Sequence, residues 1–440
     1  MDYRHPTQPA DTPARLAPQT LPPTYRLTLP GPLLDALGDL SCRFVAALLK
    51  VAHQVVHQRR GFPTLAELGL AAPHIALLGA QLPAAPTDLL VIGRLDVVTN
   101  GTDYVAYELN GDQPGGLEYV SLVEDGLTLP ADSSLAATSP YRCYLDAAIH
   151  HYQQRTGRSQ PTGVLLLGNR YHLLTRLQEA LTRFFSCPVL VSQQGEGCEF
   201  DGEHLLWRDP QGVARPVDLV LRSPRVNIYE LCAEPFLPVR RAWESGAAVL
   251  VNPPHSRVAG CKALLPALRQ EHLLDRADVT ATEAEAVARL LPEVIRVTES
   301  QRALLQGQQE RWVLKAPLGG KGDQVYIGPV TEPAVWEAVL DQALGAPGWT
   351  ASAYHPPFDH QVTLDDSERT VRTPASTDPY VVVGEQMAVA GILSRAVIPT
   401  TDDPAELRSV KLNLLGKNTY LGSDGVERSR TVGLGRILRA

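Results

Sequence analysis

Apolar residues recur along this chain at two periods, and each change of period marks an element. Leu33, Leu37, Leu40, Phe44, Leu48, Val51 and Val55 return at spacings of three and four, which predicts a long amphipathic helix. It should stop near Gly61-Phe62-Pro63, with a second short helix opening at Thr64. Residues 1–30, ahead of it, are Pro-rich and without period and predict an extended arm. At Leu90 the period becomes two. Residues 90–98 and 104–109 alternate around Asn100-Gly101, a strong turn signal, and predict a β-hairpin.

After an expected helix at 134–154 the pattern becomes α/β. Residues 164–167, 189–191, 217–222 and 248–251 read as buried strands, with helices at 171–185 and 238–245 and a small hairpin between turns at 201–202 and 209–212. Residues 311–315 and 324–327 predict strands around a Gly-rich loop, followed by a helix at 332–344 and a strand at 349–354. A polar, mobile loop carrying Asp365, Asp366 and Glu368 is expected over 355–379, then a hairpin of 380–387 with 391–397. Beyond 410–415 the tail is rich in Gly and Arg and carries no recognisable chemistry.

The first hairpin has the most informative polar face. Gly93, Leu95 and Val97 point one way, Arg94 and Asp96 the other; in the second strand Val105, Tyr107 and Leu109 form the apolar set, and Ala106, Glu108 and Asn110 the polar one. The apolar faces must coincide, because a slip of one residue turns every side chain over. A two-residue turn would set Arg94 against Tyr107. A connection of odd length, such as 99–103, sets Arg94 opposite Glu108 and Asp96 opposite Ala106, and Arg94, Asp96, Glu108 and Asn110 then share a face. Two carboxylates, an amide and a guanidinium on one ribbon suit a hard cation carrying phosphate. The alternative is a solvated polar face with a surface Arg94–Asp96 pair.

Composition narrows the classes. The 440 residues allow two or three domains, and a net charge of −8 with a pI near 5.9 argues against nucleic acid or an anionic membrane surface as the main partner. Six scattered cysteines without a CxxC pair read as reduced thiols, and no stretch has the length of a membrane span, so a soluble cytoplasmic protein is expected. Lys is rare among the bases, occurring only at Lys50, Lys262, Lys315, Lys321, Lys411 and Lys417, which suggests positions where a compact ammonium is required in place of a fork.

Other chemistry is sparse. His53 and His57 lie one turn apart, but no third ligand is near, and a surface or satisfied pair is the plainer reading. Gly168-Asn169-Arg170 offers one glycine and no dinucleotide fingerprint. Lys315 ends a strand, and Gly319-Gly320-Lys321-Gly322 follows it; this is not a Walker A loop, and an ordinary hairpin loop is the simpler alternative. Arg395 emerges from its strand as a phosphate or carboxylate contact, or else as a surface ion pair. No Ser-His-Asp, HExxH or paired zinc motif competes.

Arg-x-Asp at 94–96, Glu-x-Asn at 108–110 and the Pro-Gly-Gly turn at 114–116 resemble the metal-binding hairpin of the circularly permuted ATP-grasp proteins, the group that includes glutathionylspermidine synthase. Val251-Asn252-Pro253-Pro254 and Cys261-Lys262-Ala263-Leu264-Leu265 resemble the turn that closes that group's pre-ATP-grasp lobe and the helix that opens its ATP-binding lobe, with Cys261 where Asn is usual. Lys315 and the Gly-rich loop are similar to its strand lysine and phosphate flap; 349–354 matches its adenine-hinge strand, with Ser352 where Gln or Glu is frequent.

The resemblance spans roughly residues 88–415 and implies a circularly permuted ATP-grasp fold: α/β lobes, a Rossmann-like pre-ATP-grasp lobe and an N-terminal helical segment. The implied division is an arm and helices at 1–88, the metal hairpin and a helix at 89–160, the pre-ATP-grasp lobe at 161–255 and the ATP-binding lobe at 256–440. It implies ATP and Mg²⁺ as cofactors. Lys262, Lys315, Gly319, Gly320, Lys321 and Gly322 would bind ATP, Asp96, Glu108 and Asn110 would hold the metal, Arg94 would act on the transferring phosphoryl group, and Arg395 would contact phosphate or substrate. The implied reaction is ligation of a carboxylate to an amine through an acylphosphate, on small-molecule or peptide substrates. Nothing corresponds to the amidase domain of glutathionylspermidine synthase, so its substrates do not transfer. A phosphotransferase on the same scaffold and a non-catalytic nucleotide-binding component of a biosynthetic complex remain as alternatives.

Overall fold

The computed structural model describes residues 24–99, 103–117, 120, 139–168, 178, 181–223, 226–318, 324–356, 358–398, 409–411, 419–421, 427–429 and 432–439. Strand β1 (Thr24–Leu29) buries Tyr25, Leu27 and Leu29 and leads into the helix Gly31–Val56, whose buried stripe includes Leu37, Leu40, Phe44, Leu48, Val51 and Val55. The helix is the expected one; the strand corrects the expected arm over 24–29, because neighbouring prolines obscure a short period-two run, while residues 1–23 of that arm lie outside the described residues. The second helix is also displaced. Thr64 and Glu67 exchange reciprocal bonds through side chain and backbone, as a capping box does, but Gly69 at φ 85° stops the turn, and the helix forms at Ala72–Ala80. The His53 and His57 rings lie 4.4 Å apart, tilted by 48°, and both bond the Pro83 carbonyl, at 3.2 and 2.9 Å, so they are a satisfied pair.

Strands β2 (Ile92–Thr99) and β3 (Tyr104–Asn110) form the hairpin; Asn100-Gly101 lies outside the described residues. The helix Pro140–Thr156 precedes β4 (Val164–Leu167) and β5 (Val189–Ser192), while most of the helix expected at 171–185 is outside the described residues. The small hairpin is a three-stranded flap, β6 (Cys198–Phe200), β7 (Leu205–Arg208) and β8 (Ala214–Val217). With β9 (Leu219–Arg222) and β10 (Val249–Val251), strands β4 and β5 make an all-parallel sheet in the order β10-β9-β4-β5. Burial on both faces explains why these strands read as unbroken apolar runs.

An antiparallel sheet follows, β11 (Val294–Arg296), β12 (Trp312–Lys315), β13 (Val325–Ile327) and β14 (Thr350–Ala353), in the order β11-β14-β12-β13. The helix Pro333–Leu344 covers it through Trp336, Val339, Leu340 and Ala343. Next come β15 (Asp359–Leu364), β16 (Thr370–Val383) and β17 (Met387–Val397), then short β18 (Ser409–Lys411), β19 (Thr419–Leu421) and β20 (Glu427–Ser429), and finally β21 (Val432–Arg439). The largest sheet has seven strands in the order β15-β1-β21-β17-β16-β2-β3, and β15 also pairs with β16, so five strands close a ring from which the β2–β3 hairpin extends.

The loop expected over 355–379 is therefore mostly β15 and β16. Thr373, Ser376, Thr377 and Asp378 are buried polar residues on β16, and a strand whose buried side chains are polar has no apolar alternation to read. None of the six cysteines forms a disulfide, and among the described residues no helix is long and apolar enough to cross a membrane. The protein is a mixed α/β structure with several sheets.

His151 and His255 are buried beside a cavity of about 60 Å³ that Asp88, Arg155 and Trp243 also line. Burial pushes both histidines from an ordinary 6.5 down to about 4. Between those values the unfolded chain binds more protons than the folded one, so stability rises with pH; it is complete above 6.5 and is lost as pH falls toward 4. Each histidine contributes at most about 3 kcal/mol. Urea unfolding at pH 7 and pH 4.5 should give a clearly lower stability at the acid pH, and His151→Asn should flatten that difference. An unchanged difference in the variant removes His151 from the account.

Candidate active site

Asn252 fixes the base of the hairpin. Its Oδ1 accepts the N–H groups of Val91 and Ile92, both at 2.9 Å, and its Nδ2 donates to the carbonyls of Ile92 and Gly111, both at 2.7 Å. Arg222, at the end of β9, donates to the Asn252 carbonyl and pairs with Asp112 at 3.0 Å, and both side chains are fully buried. Gly111 and Gly260 then meet backbone to backbone: a Cβ on Gly111 would lie 2.5 Å from the Ser256 carbonyl. That approach brings Cys261-Lys262 against the hairpin, and only residues without a side chain permit it.

The register gathers the polar face by a route other than the expected one. Thr99 stands opposite Tyr104, leaving the four positions 100–103 between them, an even connection. Carried on unbroken, this pairing would set Asp96 against Tyr107. Instead the ladder shifts beyond Val97↔Ala106: Tyr107 is the extra residue of a bulge, and Asp96 stands opposite Glu108 and Arg94 opposite Asn110. The odd connection and the pairs Arg94–Glu108 and Asp96–Ala106 are thus corrected. The buried set of β3 is Tyr104, Ala106 and Leu109, and Arg94, Asp96, Glu108 and Asn110 share one face.

This face is not a solvated surface. Asp96 Oδ1 accepts from Arg94 Nε and Asn110 Nδ2, both at 2.9 Å, and Oδ2 lies 3.5 Å from Arg395. Arg94 is 7% exposed and donates its Nη1 to the Gly115 carbonyl at 2.7 Å. Burial alone would raise the Asp96 carboxyl; Arg94 and Arg395 outweigh it and hold the group at about 2. Arg395 in turn reaches Asp378, with Nε at 2.8 Å and Nη2 at 2.6 Å from Oδ2. Asp378 also accepts from Ser376 at 2.7 Å and from the Val97 N–H, beside the bulge, at 2.9 Å. Burial pushes Asp378 up, with Asp96 adding to the rise, against the pull of Arg395 and Arg94.

Two lysines complete the cluster. Lys262 Nζ is 2.8 Å from Glu108 Oε2. Lys315, on the end of β12, lies 3.4 Å from the Tyr107 carbonyl and 5.0 Å over the Tyr107 ring. Burial drives Lys315 down to about 8; Glu108 and Asp96 raise it and Lys262 lowers it. Gly319, Gly320, Lys321 and Gly322 lie outside the described residues.

No group of three or more His, Cys, Asp or Glu able to hold a metal occurs among the described residues. The donor set here is smaller: Asp96 and Glu108, with Asn110 donating through Nδ2 and so keeping its Oδ1 as an acceptor. That set fits Mg²⁺ delivered with phosphate oxygens, which takes only one or two carboxylates from the protein. It does not fit a metal held by protein alone. Sequence reasoning missed Asp378 and Ser376, which fell in the expected loop, and gave Asn252 no bonding role.

No protein-family model matches the chain, and no curated protein sequence does. Solved structures with some likeness include a candidate gamma-glutamylcysteine synthetase from Methylobacillus flagellatus KT, at 12% identity and a TM-score of 0.38, covering 74% of this chain and 78% of that one. Another is D-alanyl-alanine synthetase A from Vibrio cholerae O1 biovar eltor str. N16961, at 11% identity and 0.28, covering 62% and 88%. At these scores the likeness carries no part of the argument.

Proposed function

We propose that the protein is an ATP-dependent carboxylate–amine ligase of the circularly permuted ATP-grasp kind, with 161–255 as the Rossmann-like pre-ATP-grasp lobe and 256–440 as the ATP-binding lobe. One observation carries the reading: Lys262 and Lys315, far along the chain from the hairpin, converge on its carboxylate face at Glu108 and Tyr107. Two buried ammonium groups against two carboxylates and two guanidinium groups form a cluster whose charges exchange partners when phosphates and a divalent cation enter.

Lys262 and Lys315 bind the nucleotide phosphates, and Gly319, Gly320, Lys321 and Gly322 cover them. Asp96, Glu108 and Asn110 hold Mg²⁺, which neutralises phosphate charge as it accompanies ATP. Arg94 is fixed by Asp96 and Gly115 and meets the charge that develops on the phosphoryl group. Arg395, oriented by Asp378, contacts phosphate or substrate. A carboxylate oxygen attacks the γ-phosphorus and ADP leaves; an amine then attacks the acyl carbon, phosphate leaves and the amine loses a proton. The substrates are a small-molecule or peptide acid and an amine.

Release of ADP that requires both a carboxylic acid and hydroxylamine tests the reaction, and no ADP release with any acid removes it. Lys262→Met and Lys315→Met should each weaken ATP binding about 10- to 150-fold, the worth of one charge-assisted contact. Wild-type dissociation constants in both variants would mean that the nucleotide binds elsewhere.

A further inference from the structure

A second cationic site adjoins the first. Tyr229 stands on the short helix Ile228–Leu231, just beyond β9, and is 38% exposed, high for an aromatic side chain. Arg257 lies 5.7 Å over its ring and His74 packs edge-on at 4.4 Å. Arg257 donates to the Leu318 carbonyl at 2.7 Å and bonds the Tyr229 side chain, its Nε is buried with no hydrogen-bond partner, and it forms no ion pair with a carboxylate among the described residues. His74 Nδ1 is likewise buried and unpartnered. The carboxylate beside Tyr229 is Asp112, which Arg222 and the Ile228 N–H already occupy. A partly buried guanidinium thus has only neutral partners, the Leu318 carbonyl and the Tyr229 hydroxyl, and the exposed Tyr229 ring forms one wall beside it.

Topology gives the same location an independent reason to bind a ligand. In the order β10-β9-β4-β5 the chain leaves β4 toward β5 on one side and leaves β9 toward β10 on the other. The connections from adjacent β4 and β9 diverge, which opens a crevice at their carboxyl ends, where open α/β sheets take their ligands. Gly168 and Ser223 close the floor of that crevice by a 2.6 Å bond, and Tyr229 follows Ser223. Arg257 precedes Lys262 by little more than one helical turn of sequence, and Leu318 follows Lys315, so the crevice adjoins the proposed phosphate site.

We propose that Arg257, with Tyr229 as an apolar wall, binds a non-reacting carboxylate of one of the two substrates and so aims the substrate at the phosphates. The carboxylate is the non-reacting one because a guanidinium bonded to the attacking carboxylate would hold the electrons that attack requires. This rests on the ligase reading for the direction of aim, while binding itself is separable. The group belongs either to a dicarboxylic acid or to an amino acid serving as the amine.

Equilibrium titration of the intact protein in the presence of Mg²⁺ and ATP separates the sources: glutarate against its monoamide for the acid, and glycine against methylamine for the amine. In one arm the member with the extra carboxylate should bind at least about tenfold more tightly, the scale of a charge-assisted contact. Arg257→Met should abolish the difference and leave the ATP dissociation constant unchanged; Arg257→Lys, which keeps the charge but not the planar fork, should retain part of it. If Arg257→Met does not fold, Arg257→Lys and Tyr229→Leu serve, each expected to reduce the difference. No preference in either arm of the wild type, or a preference that survives substitution, overturns the subsite. Failure of the ligase reading appears separately, as absence of acid-dependent ADP release.

Discussion

Arg94→Ala is expected to lower kcat by on the order of 10²–10³, the usual cost of losing one preorganised donor to a developing anion. ATP affinity should change far less, because Lys262 and Lys315 remain. Arg94 is buried and bonded to Asp96 and Gly115, so the variant will also lose stability, and rate per folded molecule is the deciding quantity. Arg94→Lys keeps the charge but cannot reach both partners as a fork, and it should be impaired almost as much. If Arg94 only braces Asp96, folded Arg94→Ala should turn over at the wild-type rate. Steady-state kinetics beside the ATP dissociation constant and a urea curve distinguish these outcomes.

Asp378→Ala should cost about 3–5 kcal/mol of folding stability, the scale of breaking a buried ion pair from one side. The substitution removes the acceptor for Arg395, Ser376 and the Val97 N–H together. Arg395 would keep only Asp96, at 3.5 Å, as a carboxylate among the described residues. The double variant Asp378→Leu with Arg395→Met replaces both charges by apolar groups and should recover much of the loss in urea, since such replacements are often neutral. It should not recover activity if Arg395 contacts phosphate or substrate. A double variant with full turnover would reduce the pair to a structural bridge.

The parts of this site that announce themselves in the sequence are those whose side chains contrast with an apolar background. Arg94, Asp96, Glu108 and Asn110 stand in strands with clear alternation, and Lys262 and Lys315 stand out among arginines. The bulge at Tyr107 left no mark, because an extra residue shifts the phase without altering composition. Asp378 was hidden for the opposite reason. Its strand carries Thr373, Ser376 and Thr377 into the interior, and a polar interior resembles a loop to any reading that counts apolar residues. Strand β1 was obscured by neighbouring prolines, though Tyr25, Leu27 and Leu29 alternate as a strand should. Arg257 and Tyr229 carry no motif; topology alone brings them together.

In the largest sheet β1 does not touch β17; β21 lies between them and pairs with both. During synthesis β1 emerges first of the described segments and β21 last of them, so β1 must wait for all the intervening strands before this neighbour exists. Until then one long edge of β1 and one of β17 present unpaired N–H and C=O groups, a template for pairing with other chains. The β2–β3 hairpin hangs from β16, a neighbour of β17, so a ribosome-bound chain lacking residues 432–439 would carry the acids and the lysines without the finished barrel that steadies them. Assembly of the site is thereby tied to the synthesis of β21: chains halted short of it should be inactive and prone to cross-pairing, and good clients for chaperones that mask strand edges.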